Sequence, residues 1–132
     1  MRILWVTNQP IAHLRKMLNL PIGQSGGWME TAYVSLKDAK DIVLGIATIY
    51  NGTRLLQESA GENDFLAIPS RQSIGHYDPN NSYNINQWTE ALETFHPDII
   101  HLWGTEYAMS LCVLKASEGK IPSVVYIQGM LN

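Results

Sequence analysis

The sequence has little cysteine and little basic charge, and both shortages limit what the protein can do. It has one cysteine, so an internal disulfide is excluded and a reducing compartment, the cytoplasm, is the simplest expectation. Its nine Lys and Arg residues are scattered and the formal net charge is −3, so we expect no nucleic-acid partner. The longest apolar run, residues 42–49, is too short to cross a membrane.

Nucleotide and metal motifs are also missing. No Gly-x-Gly-x-x-Gly follows the first apolar segment, and no Gly-Lys-Ser/Thr phosphate loop occurs in the chain. The histidines lack the spacing of metal ligands, and neither Ser110 nor Ser117 lies in a nucleophile elbow. We therefore expect no bound cofactor and no metal.

What the sequence does have is a regular alternation of apolar segments and amphipathic helices. Continuous apolar segments predict strands at residues 3–7, 42–49, 98–103 and 123–127, since a strand covered on both faces is apolar throughout. Helices are predicted from Trp28 to near Lys40, over the residues before Pro97, and from a Thr105 cap to Gly119. Crossovers of this length predict an α/β fold with a mostly parallel sheet and helices on both faces.

Turn signals predict the remaining segments. Two short strands flank the polar turn at residues 60–64, as a hairpin or a pair of edge strands, and residues 71–82 form an exposed loop. Residues 8–27 form a long polar loop, and the last predicted helix turns Ala108, Leu111 and Cys112 inward. Because no helix follows the last strand to cover the sheet, we expect a truncated domain.

Polar residues and glycines follow the strands, where open parallel sheets bind their ligands. Gly26 and Gly27 open the first long helix, and their bare N–H groups favour a phosphate or sugar oxygen. The other candidates at strand ends are Asn8, Gln9, Pro10, His101, Trp103, Gly104, Thr105, Glu106, Gln128 and Gly129.

Each candidate also has a purely structural interpretation. The glycine pair would allow the helix to pack tightly against the loop, and His101 would be a core histidine. Glu106 would lie in the first turn of a helix, where the dipole favours any acid. Gln128 would cap backbone groups after the last strand.

Together these segments resemble a known family. The segments are residues 1–8, the glycine pair with Trp28, residues 97–106 with the sequence Pro-Asp-Ile-Ile-His-Leu-Trp-Gly-Thr-Glu, and residues 122–125 with Gln128-Gly129. In order and approximate spacing they resemble the N-terminal half-domain of GT-B glycosyltransferases, most closely the retaining, family-4-like group (group 1). The resemblance covers nearly all of the chain.

The resemblance implies an enzyme with two Rossmann-like domains and a cleft between them. Residues 1–132 would be the acceptor-side domain, and the acceptor would be a glycan or a lipid-linked sugar. The nucleotide-sugar donor would bind chiefly to a C-terminal domain that carries a paired-glutamate motif and is absent from this sequence. Gly26 and Gly27 would contact the donor's phosphates or sugar, and the cleft would be lined by His101, Thr105, Glu106 and Gln128. No metal would be needed, and this chain alone would be inactive.

One departure from the family pattern leaves alternatives open. Many relatives have a histidine near the transferred sugar where this sequence has Gln128, and glutamine cannot titrate near neutral pH. Two rival hypotheses remain. The chain is a non-catalytic α/β binding module that dimerises through an uncovered sheet edge, or it is half of a sugar-nucleotide epimerase. If the acceptor is lipid-linked, residues 15–18, Arg-Lys-Met-Leu, would contact the inner face of a membrane.

Overall fold

A computed structural model describes residues 1–21 and 27–127 of the chain. The described strands are β1 (Arg2–Thr7), β2 (Val43–Asn51), β3 (Leu56–Ala60), β4 (Asn63–Ser70), β5 (Ile99–Trp103) and β6 (Ser123–Tyr126). The described helices are α1 (Ala12–Met17), α2 (Gly27–Leu36), α3 (Ser82–Phe95) and α4 (Met109–Ser117), with one 3-10 turn at Ile74–His76. Among the described residues, no helix combines the length and the apolar character that crossing a membrane requires.

The strands form a single six-stranded sheet in the order β3-β4-β2-β1-β5-β6. All neighbouring strands are parallel except β3 and β4, which are antiparallel. The chain leaves β1 toward β2 and β4, then crosses to the other side of β1 to form β5 and β6. This order is consistent with a Rossmann-like fold, so the predicted α/β class with a mostly parallel sheet is confirmed.

Helices cover both faces of the sheet, as the apolar strands predict. On β1, Leu4 and Val6 join the core formed with α3 and α4, whereas Trp5 joins the core formed with α1 and α2. All three side chains are buried. Because successive side chains of a strand point to opposite faces, a strand that is buried on both faces has to be apolar throughout.

The hairpin over residues 56–70 is confirmed, but only one of its two strands lies at the edge of the sheet. Strand β4 pairs with β3 on one side and with β2 on the other. Its run from Phe65 to Ile68 is fully buried, whereas Gln57, Glu58 and Ser59 of β3 are exposed. Of the two alternatives, the hairpin is confirmed, and a pair of edge strands is excluded because β4 is an interior strand.

The helix boundaries differ from the sequence predictions at three places. Helix α1 lies within the predicted loop. It has only six residues, and it is stabilised because Ile11 and Leu14 pack against the sheet. Helix α2 ends at Leu36 rather than near Lys40.

The third difference concerns α4. This helix begins at Met109, with Ala108 rather than Thr105 at its cap, so the predicted Thr105 cap is wrong. Ala108 and Leu111 are exposed, whereas Cys112 is buried as predicted.

A residue from a distant strand satisfies the backbone just beyond α2. The Asn63 amide nitrogen donates to the Lys37 carbonyl at 2.9 Å, and its amide oxygen accepts the Leu44 N–H at 3.0 Å. Leu44 is buried together with Asn63, so the Leu44 N–H would lack a partner without this side chain. The end of the helix therefore depends on tertiary contacts, which the local sequence does not encode.

Close packing of β2 against α3 gives a first prediction. A Cβ atom at Gly45 would lie 2.7 Å from the buried Phe95 ring, so Gly45→Ala should lower the free energy of unfolding by about 1–3 kcal/mol. The control is Gly75→Ala, where a Cβ meets no atom within 4 Å. Urea denaturation of both variants measures the difference, and equal stabilities would contradict the packing described.

Candidate functional site

A cleft of about 420 Å³ opens at the carboxyl edge of the sheet. It lies beyond the ends of β1, β2 and β4, on the edge where open parallel sheets bind ligands, and its size suits a small molecule. The residues that line it are Asn8, Pro10, Thr48, Ile49, Tyr50, Asn51, Ser70, Arg71, Gln72, Ser73 and Ile74. We call this site the edge cleft.

The polar side chains of the edge cleft are mostly neutral. Amides and hydroxyls come from each of the three strand ends, through Asn8 after β1, Asn51 of β2 and Ser70 of β4. Such groups both donate and accept hydrogen bonds, as a ligand rich in hydroxyl groups requires. Among the described residues, Arg71 is the only charged one that lines the cleft, and no carboxylate of that part of the chain does.

The wall of the cleft after β4 is held by side-chain hydrogen bonds. The Ser70 hydroxyl donates to the Gln72 carbonyl at 2.6 Å and accepts the Gln72 N–H at 3.1 Å. The Gln72 side-chain oxygen accepts the Asp78 N–H and the Asn84 amide, each at 2.9 Å. These bonds link the end of β4 to the start of α3, so the backbone on both sides of Arg71 has defined partners.

Tyr77 attaches the same segment to the core. Its hydroxyl accepts the Trp88 indole N–H at 3.0 Å, and the residue is buried. The prediction that residues 71–82 form an exposed loop is therefore wrong at Tyr77. Burial raises the pKa of Tyr77 well above its usual range, and it raises the pKa of the Cys112 thiol in the same core to about 11. Both groups are protonated at neutral pH, and we assign them structural roles.

Arg71 is held by an aromatic ring. Its guanidinium carbon lies 4.1 Å from the centroid of the Tyr83 ring, in the first turn of α3. Within residues 1–21 and 27–127, no carboxylate lies within ion-pair distance of this guanidinium. A cation stacked on a ring keeps its N–H groups available to an anion.

A group of packed rings, the aromatic cluster, lies on the α2 face of the sheet. The Trp103 ring lies 5.0 Å from Trp5, 4.9 Å from Trp28 and 5.3 Å from Tyr126, measured between centroids. Trp28 and Tyr126 are about half exposed. The Trp103 indole nitrogen is buried without a hydrogen-bond partner in the described part of the chain.

His101 belongs to this aromatic cluster and does not line the edge cleft. Its ring stacks on Trp103 at 4.2 Å and meets the edge of Trp5 at 6.3 Å. Burial lowers its pKa, so the neutral ring is favoured. These contacts are those of a histidine packed in the core, which agrees with the structural interpretation of His101 given in the sequence analysis.

The other sequence candidates are dispersed. Gly27 is the first residue of α2, and a Cβ there would meet no atom of the described residues within 4 Å, so packing against them does not require a glycine at this position. Gly26 and Gln128 lie outside the described residues. Thr105 and Glu106 are exposed in irregular backbone before α4, so Glu106 is not in the first turn of a helix.

Glu106 instead folds back over Gly104, where a Cβ would collide with its carboxylate. It lines a hollow of about 10 Å³ together with Asn8, Trp103 and Ser110. This volume is enough for about one water molecule and too small for a sugar. Asn8 lies between this hollow and the edge cleft, beside the point where the strand order reverses.

Sequence reasoning found Asn8 and Pro10 but missed the residues that follow β2 and β4. It left the two strands around residues 60–64 open between a hairpin and a pair of edge strands, and it named no candidate at the end of β2 or of β4. The apolar run at residues 65–68 was the available signal, since four consecutive apolar residues indicate an interior strand. Among the described residues, no group of three or more His, Cys, Asp or Glu side chains is placed to hold a metal ion.

The buried Tyr77 hydroxyl gives a second prediction. Tyr77→Phe leaves the Trp88 N–H without its partner, so the free energy of unfolding should fall by about 1–3 kcal/mol. Tyr107→Phe, at a partly exposed tyrosine, should change it by less than about 0.5 kcal/mol. Thermal and urea denaturation of the two variants compare these values, and a fully stable Tyr77→Phe protein would refute the structural role.

Comparison of the sequence and the structure with known proteins finds no significant match. No family model matches the sequence. No curated protein and no solved structure matches it at a significant level. A function for this chain therefore has to be inferred from the Rossmann-like sheet and from the residues at its carboxyl edge.

Proposed function

We propose that this chain is the acceptor-side domain of a GT-B glycosyltransferase. The enzyme would move a sugar from a nucleotide-activated donor to a glycan or a lipid-linked sugar. The observation that carries the proposal is the edge cleft, which is lined by neutral amides and hydroxyls at the carboxyl edge of a Rossmann-like sheet. The resemblance of the sequence to family-4-like transferases agrees with this assignment.

The edge cleft would receive the acceptor. A sugar presents hydroxyl groups in several directions, and each needs a donor or an acceptor when it leaves water. Asn8 and Asn51 offer both functions, whereas the Ser70 hydroxyl is bonded to Gln72 and the Ser73 hydroxyl to His76. Tyr50 and Ile74 add apolar surface for the carbon face of the ring.

The donor would approach the start of α2. The first N–H groups of a helix have no partner within it, and the helix dipole favours a negatively charged oxygen there. No atom of the described residues lies within 4 Å of a Cβ placed at Gly27, and we propose that Gly26 contacts the donor as well. In the proposed reaction the leaving diphosphate is stabilised by helix N-termini and basic side chains rather than by a metal.

The remaining parts of the enzyme belong to the same proposal. A second domain would supply most of the donor site, so this chain by itself would be catalytically inactive. The enzyme would work in the cytoplasm. With a lipid-linked acceptor, Arg15 and Lys16 in the last turn of α1 would face the anionic membrane surface.

Ligand binding tests the acceptor role. Maltose should shift the backbone signals of Asn51, Ser70 and Ser73 in the NMR spectrum of the ¹⁵N-labelled chain, whereas UDP should leave them unchanged. Asn51→Ala should weaken maltose binding by about fivefold, the effect of losing one hydrogen bond. Asn86→Ala, at an exposed position on α3, should have no effect. Shifts with UDP alone, or with neither ligand, would contradict the proposal.

The coding sequence downstream of Asn132 tests the two-domain architecture. A continuing frame with further strand–helix units and a glutamate pair would support it. A stop codon directly after Asn132 would contradict an autonomous transferase.

A non-catalytic interaction module is the second candidate, and the exposed edge of β6 favours it. Val124, Val125, Tyr126 and Ile127 are all more than two-fifths exposed, and β6 is the last strand on its side of the described sheet. An uncharged edge strand of this kind can pair with the same strand of a second copy.

Light scattering during size-exclusion chromatography separates the two candidates. The interaction-module hypothesis predicts a dimer that Val125→Lys converts to a monomer, because a charge on an edge strand opposes pairing. Val34→Lys, at an exposed position of α2, should leave the dimer intact. A monomer at every protein concentration would exclude this hypothesis.

A further inference from the structure

We propose that the edge cleft selects a sugar that carries an anionic group, a phosphate monoester or a carboxylate, and that Arg71 binds this group. The sugar part of the inference rests on the proposed function. The anionic part rests on the charge and the surroundings of Arg71. The two parts can therefore be refuted by different results of the test.

The charge of the cleft is the first argument. Arg71 is the only charged residue among the described ones that line it, and their other polar groups are neutral. Its guanidinium has no carboxylate within ion-pair distance among the described residues. A guanidinium without such a carboxylate makes its strongest hydrogen bonds to a ligand oxygen that carries negative charge.

The placement of Arg71 is the second argument. The residues on both sides of it, Ser70 and Gln72, are hydrogen bonded to each other, and Gln72 is also bonded to Asn84 of α3. Its guanidinium lies over the Tyr83 ring, in the first turn of the same helix. The backbone around this arginine is fixed by hydrogen bonds, and its guanidinium is fixed by the ring. Such an arginine loses less conformational entropy on binding an anion than an unrestrained surface side chain does.

The distribution of polar groups is the third argument. Arg71 lies on the wall that follows β4, whereas Asn8 follows β1 and Asn51 is the last residue of β2. A ligand that satisfies all of these groups has an anion at one end and hydroxyl groups at the other. A neutral sugar leaves Arg71 unused, and inorganic phosphate leaves the amides unused.

The test is an NMR titration of the 132-residue chain with four probes: glucose, glucose 6-phosphate, glucuronate and inorganic phosphate. We expect glucose 6-phosphate or glucuronate to bind at least about tenfold more tightly than glucose, because of one charge-assisted contact. Arg71→Gln should remove this preference, and Arg71→Lys should keep part of it, since lysine has the charge without the planar pair of donors. Arg54→Gln is the control, an exposed arginine that does not line the cleft.

Each outcome bears on the inference. A preference for the phosphorylated sugar identifies a phosphate ligand, and a preference for glucuronate identifies a carboxylate. Glucose binding equal to that of both anionic sugars overturns the inference and leaves the proposed sugar site intact. Binding of inorganic phosphate alone overturns the sugar part and counts against the proposed function. An anion preference that survives Arg71→Gln also overturns the inference, because the charge then acts elsewhere.

Discussion

Burial of both faces of one parallel sheet is the constraint on which the rest of the structure depends. Leu4 and Val6 of β1 pack under α3 and α4, and Trp5 packs under α1 and α2, so the centre of the sheet offers no space to a ligand. The carboxyl edge is different, because there the strands end and the connecting segments diverge around the point where the strand order reverses. The edge cleft is a consequence of this geometry.

The wall that follows β4 shows how a polar segment can be ordered without an apolar core of its own. Its hydrogen bonds run through Ser70, Gln72 and Asn84, and Tyr77 connects it to Trp88 in the core. The same bonds place Arg71 beside the cleft and Tyr83 beneath its guanidinium. The local stability of the segment and the chemistry of the proposed site thus depend on the same few contacts.

Much of the fold follows from the pattern of apolar residues, and less of the site does. The strands near residues 3–7, 42–49 and 98–103 and the buried face of α3, with Trp88 and Phe95, agree with the structure. The sequence candidates did not assemble into one cleft, since His101 packs within the aromatic cluster and Thr105 and Glu106 precede α4 without lining the cleft. Motif spacing indicates which strand end a residue follows, but it does not reveal which strand ends are neighbours.

The fold class follows from the amino-acid pattern, because strands covered on both faces must be apolar throughout and the helices between them must be amphipathic. The folded chain alone shows that β2 and β3 are the neighbours of β4, that Asn63 bonds the Lys37 carbonyl beyond α2, and that Arg71 and Asn51 line one cleft. The physical reason is the range of the interactions. Periodicity reflects burial, which each segment encodes locally, whereas strand order and side-chain hydrogen bonds join residues that are distant in the chain.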